Sequence, residues 1–138
     1  MVISAPVLLG SAAFVFVGNL DTDVTVGSQR VIITGMVRSI RFDEITEITL
    51  IDKTMREIGV GAKIRGLGGI GQKLSGYFKV RRGGEEMMLL FVQSKTAPTI
   101  RIQRKDDIDV FISFRDGNKT ENLYYKLMER LQNDVMMR

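Results

Sequence analysis

Residues 59–78, GVGAKIRGLGGIGQKLSGYF, carry seven glycines in twenty positions, at Gly59, Gly61, Gly66, Gly68, Gly69, Gly71 and Gly76. Lys63, Arg65 and Lys73 sit among them, and no acidic residue does. A helix tolerates such a run badly, because each interior glycine costs on the order of 1 kcal/mol relative to alanine. Glycine instead permits positive φ, bulges and close backbone approach. The stretch reads as a loop or irregular edge strand dividing a β-rich chain, with Gly76 leading into a strand over 77–81.

Upstream of it the sequence reads as short strands over 24–26, 30–34, 37–42 and 45–51. Gly27-Ser28, Gly35 and Asp43-Glu44 punctuate them as turns. In the third strand only the Ile40 and Phe42 side is apolar; the fourth mixes Ile45 and Ile48 with Thr46, Glu47 and Thr49, as a half-buried strand does. Downstream, Gly83-Gly84 is a turn, and 87–93, MMLLFVQ, is apolar enough for a strand buried on both faces. Ile100 and Ile102 alternate with Arg101 and Gln103 over 99–103, and Val110, Ile112 and Phe114 share one face over 109–114. Turn signals every eight to twelve residues suit an antiparallel sandwich or barrel. The chain then closes with a helix over 118–133, for which Asn118 offers an N-cap and Glu121 its capping-box partner. Leu123, Leu127 and Leu131 recur every four residues, with Tyr124, Met128 and Val135 widening the stripe, so that face docks on the core.

A chain of 138 residues is one domain of ordinary globular make-up, 44% apolar and 26% charged, long enough for a core without staples. Residues 1–20, MVISAPVLLGSAAFVFVGNL, contain no charge. Their length reaches that of a membrane span, but Pro6, Gly10 and Gly18 interrupt it and no basic residue flanks its start. They form either an extra strand around 12–17 or the remnant of a membrane anchor, with the domain proper at 21–138. Localisation is accordingly cytoplasmic, or peripheral to or anchored at a membrane.

Function is bounded first by what is missing. Without cysteine or histidine the chain has no thiol nucleophile, no imidazole acid–base group and no zinc site built on either. Gly66-Leu67-Gly68-Gly69-Ile70-Gly71 spells the dinucleotide fingerprint, but a strand pattern follows where the motif needs a helix. No P-loop is present, because no glycine-lysine pair precedes Ser or Thr. Asp43/Glu44, Glu85/Glu86 and Asp106/Asp107 are carboxylate pairs at turns, where solvated acids are ordinary. No cofactor, no metal and no enzymatic activity are expected.

Charge gives the positive signal. Residues 53–84 hold eight basic residues against Glu57 alone, a local +7 that leaves −3 for the rest of a chain of net +4. Lys63, Arg65 and Lys73, with Lys79, Arg81 and Arg82 from the following strand, are the candidate binding residues for an anionic lipid or an acidic protein surface. The competing explanation is that the glycines only turn a sheet corner and the cations are solvated. Tyr77 and Phe78 are needed by the core, so no nucleic-acid partner is expected.

Gly35-Met36, Ile40-Arg41-Phe42-Asp43-Glu44-Ile45, Met55-Arg56-Glu57-Ile58-Gly59, Gly66-Leu67-Gly68 and Gly76-Tyr77-Phe78, in that order, resemble the bacterial pleckstrin-homology-like (PH-like) domain. Ala97-Pro98-Thr99-Ile100-Arg101-Ile102 and Phe111-Ile112-Ser113-Phe114-Arg115-Asp116 continue the likeness, which covers about residues 22–132. The resemblance implies a roll or barrel of about seven antiparallel strands in two near-orthogonal sheets, with the terminal helix capping one open end. It also implies a membrane helix close upstream, and supplies no activity. Where similar members carry Arg-Thr-Asn-Gly, this chain has Lys63-Ile64-Arg65-Gly66. The functional expectation is a non-catalytic, membrane-proximal binding module. Two alternatives are a scaffold or homo-oligomerisation module acting through an exposed strand edge, and a protein that binds or transforms a small phosphorylated ligand.

Overall fold

The computed structural model describes residues 23–33, 38–61, 63–65, 73–80 and 86–137. Residues 1–20, the turns at Gly35 and Gly83-Gly84, Gly66, Gly68, Gly69, Gly71, Arg81, Arg82 and Glu85 lie outside them. The described chain is mostly β, with one long C-terminal helix. Strands β1 (Val24–Val26), β2 (Arg30–Ile33) and β3 (Arg38–Arg41) form an antiparallel three-stranded sheet. A 3-10 turn, Phe42–Glu44, carries the chain into β4 (Ile45–Ile51). A single-turn helix α1 (Met55–Ile58) follows, then β5 (Lys63–Arg65), β6 (Lys73–Lys79), β7 (Met87–Gln93), β8 (Thr99–Arg104) and β9 (Asp107–Ile112). These six strands form the second sheet, in the order β4-β8-β9-β7-β6-β5. Helix α2 (Gly117–Met136) ends the chain.

Two expectations about the sheets need correction. The described residues hold nine strands rather than about seven, in sheets of three and six that share no ladder and close no barrel. The pairing is not wholly antiparallel either, since β7 runs parallel to β9, with Leu89 opposite Val110 and Leu90 opposite Phe111. The cause is the order of connection. The Ser94–Pro98 link carries the chain beyond the neighbouring place, and the β8–β9 hairpin then folds back to fill it.

β7 lies inside the large sheet with one strand on each side, and six of its seven residues are buried. Leu89 and Phe91 enter an inner core with Val31, Ile33, Ile40 and Phe42 of the small sheet and its turn. Met88, Leu90 and Val92 enter a separate outer core with Met55, Phe78 and Phe111. The alternation of a strand assigns successive residues to opposite faces, so one apolar run feeds both. Each fully buried Leu or Phe contributes roughly 1.5–3 kcal/mol.

Helix α2 closes the inner core with buried Leu123 and Leu127 and half-buried Tyr124, Met128 and Leu131. Val135 does not join them; it is 54% exposed. The cap is also displaced from expectation. Asp116, not Asn118, is the N-cap, and its carboxylate accepts a 2.9 Å hydrogen bond from the Asn118 N–H. Gly117 can then take the first helical position close to the Ala97 carbonyl, where any Cβ would stand 2.6 Å from that oxygen. The Phe114 N–H donates to the Thr120 hydroxyl at 2.9 Å, tying the helix start to the end of β9.

Polar side chains also pin the frame. Arg104, whose side chain is only 9% exposed, reaches Asp107 at 3.1 Å and donates to the Ile108 carbonyl at 3.0 Å. Its guanidinium also stands 3.9 Å from Glu44 on the 3-10 turn. At that turn Arg41 donates twice to Asp43, which holds the arginine pKa above its ordinary value. Gln93 is the exception: it is 1% exposed and its amide nitrogen and oxygen have no hydrogen-bond partner among the described residues. A buried amide without partners costs on the order of 1–3 kcal/mol. Gln93→Leu is therefore expected to stabilise the fold by about 1–2 kcal/mol in urea denaturation at unchanged slope. A loss of stability would show that the amide is satisfied.

Candidate functional site

Where it is described, the glycine-rich stretch is not one loop: β5 is an irregular edge strand, as the alternative expectation had it, and β6 begins at Lys73. Thr54 caps a helical turn through a complete capping box: its hydroxyl accepts from the Glu57 N–H at 3.1 Å, and the Glu57 carboxylate accepts from the Thr54 N–H at 2.9 Å. The spelling Thr54-Met55-Arg56-Glu57 is the signal for it. Gly59 ends the turn at φ 116°. Gly61 then crosses β6 so closely that its N–H donates to the Lys79 carbonyl at 2.8 Å, and an added Cβ would stand 2.7 Å from that oxygen. Gly76 does not precede the strand, as expected, but lies in its middle at φ 127°, opposite Leu90.

Four candidate cations fall on strands β5 and β6, and Arg81 and Arg82 lie outside the described residues. Lys63 stands opposite Phe78, one ladder step from Lys79, and Arg65 stands opposite Tyr77. The register shifts between Lys63 and Arg65, as a bulge does. Lys73 begins β6 and Lys79 ends it, so the two are separated by roughly 20 Å of strand. Lys63 and Lys79 are backbone neighbours on the terminal pair of strands but occupy positions on opposite faces of the sheet. Arg65, opposite Tyr77, takes a position on the same face as Lys79, and Lys73 stands at the far end of β6. β5 is the sheet's terminal strand, and basic residues on such an edge also discourage pairing with another chain. Leu74 and Phe78 belong to the outer core and Tyr77 to the inner one. By alternation Lys73 and Lys79 share the Tyr77 face.

The opposite face of the large sheet carries a feature that the charge pattern did not reveal. Between α1 and the β8–β9 hairpin lies a cavity of about 850 Å³. Its floor is apolar, made by Ile51, Ile58, Val80, Met88 and Phe111. Its polar lining is Glu57, Glu86, Asp107, Asp109 and Arg101. Arg101 is committed to Asp109 through bonds of 2.7 and 2.8 Å, and Asp107 faces Arg104. Glu86 is exposed, and no described cation pairs with it or with Glu57. Among the described residues α1 covers only part of the outer core, with Met55 fully buried, and the cavity lies beside it.

Of the carboxylate pairs, Asp43 and Glu44 lie in the 3-10 turn, while Asp106, at φ 52°, makes the turn before Asp107 opens β9. Among the described residues no helix is long and apolar enough to cross a membrane. Comparison with protein-family models, with curated proteins and with solved structures finds no match for the chain.

The glycine geometry is testable by substitution. Gly61→Ala drives a methyl group into the Lys79 carbonyl, and Gly76→Ala forces an L side chain to positive φ. Each is expected to cost on the order of 1–3 kcal/mol in chemical denaturation. A change below about 0.5 kcal/mol for either would contradict the corresponding constraint.

Proposed function

We propose that the chain is a non-catalytic, membrane-proximal binding module of the PH-like kind. In it the basic edge formed by Lys63 and Arg65 of β5 and Lys79 of β6 meets an anionic lipid surface. The observation that carries this reading is the register that sets Arg65 opposite Tyr77, a position on the same face as exposed Lys79 on the terminal pair of strands. The chain-terminal helix docked on a two-sheet β frame supports the PH-like part of it. Each lysine or arginine near an anionic surface contributes about 1 kcal/mol, an attraction that salt screens. Lys73, at the far end of β6, is a weaker contributor to the same contact. An acidic protein surface offers the same chemistry and is the alternative partner.

Sedimentation with phosphatidylserine-containing vesicles tests the lipid version. Binding at low salt is expected to fall at high salt, and Arg65→Glu with Lys79→Glu is expected to weaken it about tenfold or more. Equal recovery with purely zwitterionic vesicles, or indifference to the double reversal, would overturn it. The terminal place of β5 among the described strands favours a second reading, a scaffold that pairs strands with another chain or another copy. Light scattering separates them: a dimer lost when a proline replaces Ile64 supports strand pairing, and a monomer at all concentrations rules out self-pairing.

A further inference from the structure

We infer that the cavity on the outer face of the large sheet is a docking groove for a short extended segment of a partner protein in which apolar residues alternate with lysine or arginine. Three observations lead there. The volume, about 850 Å³, has room for a few side chains and not for a folded domain. The floor of Ile51, Ile58, Val80, Met88 and Phe111 offers apolar contact without a polar handle on it. The rim supplies the selectivity: Arg101 and Arg104 answer Asp109 and Asp107, while Glu57 and Glu86 face no cation among the described residues. A bound cation at Glu86 therefore gains a partner, whereas a bound anion meets repulsion.

An extended segment matches this layout because alternate residues point in opposite directions. Its apolar side chains would enter the groove while its basic ones turn back toward the rim. Anionic lipid, the ligand proposed for the β5–β6 edge, is disfavoured here by the sign of the rim. By strand alternation Lys73 and Lys79 also lie on the other face of the sheet from the groove. The two surfaces thus address ligands of opposite charge, and this inference stands whether or not the lipid contact does.

The test is fluorescence anisotropy with a labelled nine-residue peptide of alternating leucine and lysine, titrated with the full chain. Saturable one-to-one binding is expected, with no binding of a leucine–glutamate or a serine–lysine peptide of the same length. Glu86→Lys is expected to weaken the leucine–lysine peptide roughly fivefold. Glu121→Lys, an exposed carboxylate on α2 remote from the groove, is expected to leave it unchanged. Both substitutions are at exposed positions, so folding is retained. Equal binding of the serine–lysine peptide would mean charge attraction alone, and equal binding of the leucine–glutamate peptide would mean apolar adhesion alone. Either result, a matching effect of Glu86→Lys and Glu121→Lys, or no binding of any peptide, overturns the groove.

Discussion

The burial of β7 on both faces is the constraint on which the rest of the structure depends. Met88 to Gln93 have no solvated side, so apolar elements must cover the sheet twice at this strand. The inner cover is generous: the three-stranded sheet, the 3-10 turn and α2 all bring large side chains. Among the described residues the outer cover is thin, consisting of α1 with Met55 and Ile58, joined by Val60 and Val80. A full second layer would leave no room for a ligand; a missing one would expose Leu90 and Val92 to water. The four-residue helix stands between those extremes and leaves the groove at its side.

The same constraint explains the glycines. The segment after α1 has to cross the end of β6 at hydrogen-bonding distance, and Gly61 meets the Lys79 carbonyl there without a Cβ in the way. Within β6, Gly76 adopts a conformation closed to other residues while keeping register with Leu90 of β7. At these two positions glycine serves the outer layer and its neighbouring strand, not a mobile ligand loop. The basic residues are then carried along the sheet edge by the strands themselves. Pairing sets Arg65 at a position on the face that Lys79 occupies, and Lys73 is left at the opposite end.

Much of the frame was legible because strand periodicity is local. Residues 24–26, 45–51 and 87–93 have the boundaries their alternation and apolar content suggest. The terminal helix was readable from Leu123 and Leu127, though its cap was not. Asn118 and Asp116 both spell acceptable caps, and the close approach of Gly117 to Ala97 decides between them. The parallel pairing of β7 with β9 depends on which hairpin returns to which gap, a non-local matter that no short pattern records. β6 was truncated at its start because Gly76 looks like a boundary when its backbone angle is unknown. The groove was hidden for a similar reason. Glu57, Glu86, Asp107 and Asp109 are scattered along the chain and converge only when the hairpin and α1 flank the same face.

Native-state hydrogen exchange tests the doubly covered strand most directly. The amides of Leu89, Leu90 and Phe91, with Val110 and Phe111 of the parallel partner, should exchange only through global unfolding. Those of β5 at the sheet edge should exchange through local opening at much lower free energy. Protection of β7 no greater than that of β5 would contradict a frame built around one strand with two buried faces.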